Sequence, residues 1–382
     1  MITALHDAII FTGGALVERQ TLLLIGAKIV DIVSDKNIPN DAKRVSCADT
    51  VLVPGFIDAQ VNGGGGAQFN SDPTAETCLA IARAHRKCGT TRLLPTCITD
   101  TQEVRQKALV AMREARAQDE SILGIHFEGP HIQEIARRFH PVDHIRLMKD
   151  EDIPFYRRQG DEVVLVTLAP GVADPEQVKK LCAMGVIVSL GHCETTPDCV
   201  RPMLEAGATG FTHLFNAMGS MIARDPGMAG LALDDAESWC GLIADGIHVS
   251  PEMIRLALRA KTPGRIFLVS DAMAPAGCDV KVPFLMHGET IYVEDRHCLD
   301  SRGCLAGSCN TLAEDLRYCI QTIGVEIEEA ARMASTYPAE FLGLGRRFGK
   351  LLPGYEADIV ALDREFTPAR VWVSGKEVGG VL

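Results

Sequence analysis

Apolar residues in the middle of the chain come as short, nearly continuous runs rather than as alternating positions. Eight such runs can be read, at 56–59, 91–95, 122–127, 163–168, 186–190, 210–213, 241–244 and 266–270, each ending in polar residues, Gly or Pro. Runs with no polar face suit parallel strands that are covered on both sides. Between several of them lie stretches with helical periodicity, at 75–87, 102–115, 175–184 and 196–206. Strand–helix alternation repeated this often predicts an α/β fold of the (β/α)8 TIM-barrel type over residues 54–348. A doubly wound open sheet is the alternative.

The two ends have a different texture. Glycine-punctuated β-type runs occupy 7–11, 21–25 and 28–33, and similar runs recur at 357–362 and 371–378. Neither end is long enough to bury a core of its own. The expectation is that residues 1–53 and 349–382 pair into one small β-sandwich domain beside the barrel. The run Gly63-Gly64-Gly65-Gly66 lacks the spacing of a dinucleotide-binding loop and is expected to be a flexible connection.

Composition narrows the function classes. The apolar share of 47% and charged share of 23% are ordinary for a globular chain. A formal net charge of -12 argues against a general nucleic-acid binder, which needs a basic face. It leaves room for a small anionic ligand, since a few local Arg and His residues suffice to hold one phosphate. The 13 cysteines are scattered and form no Cys-x-x-Cys pair, so neither a zinc ribbon nor a thioredoxin-type centre is expected. The first residues do not read as a signal peptide, and no apolar run reaches membrane length. The expectation is a soluble, cytoplasmic protein with reduced thiols and no nucleic-acid or membrane partner.

Candidate chemistry sits where the apolar runs end. Glu128 follows the third run, His192 the fifth, His213 the sixth, Asp245 the seventh and Asp271 the eighth. In a barrel these positions converge on the C-terminal mouth, where barrel enzymes keep their active sites. Alone, each has a plainer explanation: a histidine hydrogen-bonded to its surroundings, or an aspartate capping the next helix. Together they read as a metal site. One carboxylate and two imidazoles form a common catalytic zinc set that leaves a position for water. Asp271, outside the ligand set, is then suited to general acid–base work. Zinc is the default ion, with Fe(II), Co(II) and Mn(II) as alternatives.

An ordered set of phrases carries a resemblance along essentially the whole chain. They are Pro54-Gly55-Phe56-Ile57-Asp58, His126-Phe127-Glu128-Gly129-Pro130, Gly191-His192, Thr212-His213-Leu214-Phe215-Asn216-Ala217-Met218, Arg224-Asp225-Pro226-Gly227, Ala244-Asp245-Gly246-Ile247-His248, Ser270-Asp271-Ala272 and Leu305-Ala306-Gly307-Ser308. With these the chain resembles the amidohydrolase superfamily and, within it, the N-acetylglucosamine-6-phosphate deacetylases. The resemblance implies Glu128, His192 and His213 as ligands of one divalent metal and Asp271 as the catalytic acid and base. It implies substrate contacts at Phe139, His140, Asn216, Ala217, Asp245, Leu305, Ala306 and Gly307. It also implies a homodimer in which Arg224 and His248 reach the neighbouring active site and hold the sugar phosphate.

Two departures qualify this. Many amidohydrolases carry His-x-His after the first strand, whereas Gln60 and Asn62 stand there in this chain. Neutral amides are poor ligands for a borderline cation, so a single metal is expected. His126, two residues before Glu128, is expected behind the ligands or in a structural role, and Cys193 is left out of the ligand set. His6, His85, His131, His144, His287 and His297 are expected in loops or on helix surfaces. The stretch Ala136-Arg137-Arg138-Phe139-His140 is bulkier and more basic than the Lys-Gly-Ala-His of many relatives, which bears on the choice of sugar epimer and on the need for phosphate.

Overall fold

The computed structural model describes residues 1–378; positions 379–382 of the expected C-terminal segment lie outside the described residues. Its centre is an eight-stranded parallel sheet built from Phe56–Val61, Thr90–Ile98, Gly124–Glu128, Val163–Leu168, Ile187–Leu190, Gly210–Phe211, Trp239–Leu242 and Ile266–Leu268. Every apolar run of the sequence falls on one of these strands. The sheet curls into a barrel, and its seam is drawn together where Asp271 N donates to Gln60 O at 3.1 Å and Asn62 N to Ala272 O at 2.8 Å. The strands are buried along their length, as expected for a sheet wrapped in helices.

The helices begin where their first residues supply caps. Thr74 Oγ1 accepts from Thr77 N ahead of Ala75–Lys87, and Thr101 Oγ1 accepts from Val104 N ahead of Gln102–Arg116. Asp174 and Gln177 close a reciprocal capping box on Pro175–Ala183. These caps satisfy backbone donors that would otherwise have no partner.

Both chain ends contribute to a sheet-rich unit beside the barrel. Lys28–Ser34, Gln20–Ile25, Ile2–His6 and Lys43–Ser46 form one sheet. A second sheet brings Lys376–Glu377, Pro368–Val373 and Ile359–Leu362 from the far end against Val51–Pro54, Ile9–Phe11 and Leu16–Val17. Leu5, Ile10, Leu22, Leu24, Ile359 and Trp372 share one apolar cluster between them. Arg92, fully buried on the second barrel strand, fastens this unit to the barrel. Its Nε donates to Asp358 Oδ2 at 2.6 Å and its Nη2 to Asp358 Oδ1 at 3.0 Å, while Nη2 also donates to Ser374 Oγ and Nη1 to the Glu120 carbonyl.

Three expectations change. Gly63–Gly64 is a buried strand pairing with Ala67–Gln68, not a flexible loop. A Cβ on Gly63 would stand 2.6 Å from Ala274 N, and one on Gly64 2.6 Å from His85 Nε2, so close packing explains these glycines. His85 is fully buried on its helix rather than on a helix surface, with Nε2 2.9 Å from the Gly63 carbonyl, whereas His131 does lie in a loop, though a buried one. The sequence reading also gave no separate unit to 284–308, which forms an antiparallel sheet of Phe284–Met286, Glu289–Glu294, His297–Leu299 and Leu305–Ser308. Its last strand is spliced beside the catalytic region: Ser308 N donates to Asp271 O at 3.0 Å and Met273 N to Ser308 O at 2.8 Å.

Candidate active site

The barrel mouth gathers the strand-end residues into one cavity of about 760 Å³, lined among others by Glu128, His192, His213 and Asp271. Three of the four bend the backbone through positive φ: His192 at 50°, His213 at 34° and Asp271 at 49°. Such conformations cost about 1–3 kcal/mol each and concentrate at functional sites, where surrounding structure holds them. Here they turn side chains inward as the chain leaves each strand.

Glu128 Oε1 lies 3.1 Å from His192 Nε2 and 2.9 Å from His213 Nε2, and the two ring nitrogens are 2.9 Å apart. His192 Nδ1 lies 2.9 Å from the Ala136 carbonyl. A carbonyl only accepts, so a neutral His192 carries its proton on Nδ1 and presents a lone pair at Nε2. Three acceptor-capable atoms then face one another with too few protons to satisfy all three contacts, and a cation resolves this. The spacing fits as well, since a tetrahedral ion about 2.0–2.1 Å from each ligand separates the ligands by roughly 3.3 Å. Glu128, His140 and His192 also bring ligand atoms within 4.8 Å of one another. The shorter contacts of His213 favour the Glu128–His192–His213 set, with His140 held alongside by its 2.8 Å contact from Nδ1 to Thr99 Oγ1.

The charges are tuned by this crowding. Burial opposes ionisation of Glu128, but the His192 and His213 rings, when they carry a proton towards it, outweigh burial and hold the carboxyl well below the usual carboxylate range. Burial, reinforced by the Glu128 charge, pushes Asp271 up to about 6, while His213 and His248 pull the other way. Burial also keeps His140 neutral to well below the usual histidine range.

Gln60 and Asn62 have a clear task at the end of the first strand. Gln60 Nε2 donates to both Glu128 Oε1 and Asp271 Oδ1 at 3.1 Å, and Asn62 Nδ2 donates to Asp271 Oδ1 at 2.7 Å. These amides fix Asp271 by one oxygen and leave Oδ2 free for a proton. The sequence reading noticed both residues only as missing ligands; the same strand-end rule that found Glu128 would have found this role. His126 spends both ring nitrogens on Thr96 Oγ1 and Thr167 Oγ1, at 3.2 and 2.8 Å, behind the cluster. Cys193 is buried, does not line the cavity, and has its thiol pushed up to about 12 by burial.

Of the expected substrate contacts, Phe139, His140, Asn216, Ala217, Leu305, Ala306 and Gly307 all line the cavity. Asp245 does not: it is buried behind His248, accepting from the ring at Nδ1 over 2.6 Å and from His248 N over 2.8 Å. Its place is to orient His248. His248 in turn lines the cavity of its own chain. Its Nε2 is buried without a partner among the described residues. Arg224 is exposed and is not among the residues lining this cavity. Met273, Met286 and Arg302 also line the wall without having been singled out from the sequence. Met286 and Arg302 belong to the 284–308 unit, whose position over the mouth no local pattern encodes.

The amidohydrolase family matches residues 51–378. An N-acetylgalactosamine-6-phosphate deacetylase from Shewanella sp. (strain ANA-3) is 43% identical over 85% of this chain and 82% of its own length. An N-acetylglucosamine-6-phosphate deacetylase from Bos taurus is 34% identical, covering 97% of this chain and 93% of the relative. The crystal structure of N-acetylglucosamine-6-phosphate deacetylase from Pasteurella multocida superposes with a TM-score of 0.95 at 33% identity, covering 99% of both chains. Matches of this extent, together with the strand-end cluster, make the chain a hydrolytic enzyme that belongs to the amidohydrolase family, in its branch of amino-sugar-phosphate deacetylases.

Proposed function

We propose that the enzyme removes the N-acetyl group from N-acetylglucosamine 6-phosphate, giving glucosamine 6-phosphate and acetate. The observation that carries this reading is Asp271, held through Oδ1 by Gln60 and Asn62 on the wall of a cavity whose floor is the Glu128–His192–His213 cluster. A divalent cation, zinc by its Glu-His-His ligands, would polarise the acetamide carbonyl there and acidify a water. Asp271 Oδ2 takes the proton of the attacking water and passes it to the amine nitrogen as the carbon–nitrogen bond breaks. His140, neutral and fixed by Thr99, is placed to donate to the substrate from Nε2. Asn216, Ala217 and the 305–307 strand offer polar contacts to the sugar, and His248 offers Nε2 to its phosphate. Arg224 is assigned to the phosphate of a neighbouring site in a homodimer.

N-acetylgalactosamine 6-phosphate is the second reading, favoured by the Shewanella relative and by the bulky Arg137-Arg138-Phe139 stretch at the mouth. Acetate release from both phosphorylated epimers and from unphosphorylated N-acetylglucosamine decides the matter. The proposal expects turnover of the phosphorylated glucosamine derivative to exceed both others. Preference for the galactosamine epimer would install the second reading, and equal turnover of the unphosphorylated sugar would remove phosphate from the account.

A further inference from the structure

Three guanidiniums line the mouth of the active-site cavity: Arg137, Arg138 and Arg302. In a chain of net charge -12 that is a local reversal of sign, offset near the rim by Glu134 and by the Asp300 partner of Arg302, while the acidic groups Glu128 and Asp271 lie deeper. Two of the three are already committed. Arg302 binds Asp300 through Nε at 3.0 Å and Nη2 at 2.7 Å, and Arg137 donates from Nη1 to the His140 carbonyl at 2.9 Å. Arg138 is exposed and makes no side-chain hydrogen bond or ion pair among the described residues.

Its backbone explains why it points from a fixed place. His140 N donates to Arg137 O at 2.9 Å, closing a turn with Arg138 at its tip and at a φ of 52°. One foot of this turn is Ala136, whose carbonyl takes the His192 ring; the other is His140, pinned to Thr99. The tip therefore cannot swing away without disturbing residues of the cluster itself.

We propose that Arg138 binds the 6-phosphate of the substrate from within the same chain and so sets the preference for phosphorylated amino sugars. The inference rests on the deacetylase reading for the identity of the substrate. A planar guanidinium with no competing acid is matched to two phosphate oxygens, and its position at the rim leaves the acetamide free to reach Asp271 at depth. This phosphate contact needs no partner subunit, so it is distinct from the one assigned to Arg224.

The test uses zinc-loaded enzyme and Arg138→Gly, since glycine accepts the positive φ and removes the side chain without straining the turn, with Arg138→Lys beside it. Steady-state kinetics on N-acetylglucosamine 6-phosphate should show KM raised about tenfold or more in Arg138→Gly, kcat little changed, and partial recovery in Arg138→Lys, because lysine restores charge without the fork. Inorganic phosphate, titrated directly onto the enzyme, should lose affinity by a similar factor in Arg138→Gly. Unchanged KM and unchanged phosphate affinity would overturn the inference. If the parent enzyme released no acetate from any phosphorylated amino sugar yet bound inorganic phosphate through Arg138, the deacetylase reading would fall and the anion site would stand.

Discussion

The second barrel strand, Thr90–Ile98, ends against two buried charged clusters of opposite character. At its start, each of the three Arg92 nitrogens finds an acceptor, among both oxygens of Asp358, Ser374 Oγ and the Glu120 carbonyl. At its far end, Ile98 pairs with Glu128, where acceptors crowd together and His213 Nδ1, His248 Nε2 and Asn62 Oδ1 are buried without partners among the described residues. Closed networks of buried charge fix the arrangement of parts. A network left open at one end of a barrel is a site waiting for something else to complete it, and the open end here is the C-terminal face. Satisfaction of the charged groups, rather than their number, separates the Arg92 cluster from the Glu128 cluster.

If that contrast is right, the ends should fail differently. Replacing Asp271 by Asn should lower kcat by about 10²–10⁴-fold, the usual worth of a positioned acid–base group, while thermal stability and bound metal stay at the parent level. Retained turnover would remove Asp271 from the mechanism. Replacing Arg92 by Ala strands the Asp358 carboxylate and should cost about 3–5 kcal/mol in urea unfolding, as for other broken buried pairs. The folded fraction should keep its kcat, and a kcat loss without a stability loss would erase the distinction between the ends. The smallest effect belongs to Asn62→Ala, which loosens Asp271 without removing it: about tenfold in kcat, or about 1.4 kcal/mol of barrel-mouth positioning. A pH–rate profile displaced along with that loss would tie Asn62 to the proton transfer, whereas an unchanged kcat would show that Gln60 alone holds the base.

Much of the closed, repetitive part of the molecule was legible in the sequence. All eight strands announce themselves as apolar runs because parallel strands covered on both faces need no polar positions, and the helix starting at Ala75 announces itself by periodicity and the Thr74 cap. Glu128, His192, His213 and Asp271 followed from the rule that strand ends converge. What stayed hidden depends on contacts between distant segments. Asp245 carries the same strand-end signature as Asp271, yet packs behind His248 rather than into the cavity. The glycine run at 63–66 looked like slack chain because the burial of Gly63 and Gly64 is imposed by Ala274 and His85, far away in sequence. The 284–308 sheet likewise gains its place over the mouth through contacts distant in sequence, the pairing of Ser308 with the Asp271 strand end and the packing of Met286 and Ile291 with Ile98 and Met273.

The most direct test is a titration of chelator-stripped protein with Zn2+, following bound metal and acetate release from N-acetylglucosamine 6-phosphate together. The account predicts no release at the outset and a rise that levels off at about one ion per chain, the number expected of a single carboxylate–imidazole set. Full activity in the stripped protein, or tight metal uptake with no acetate released from this sugar phosphate or its galactosamine epimer, would contradict it.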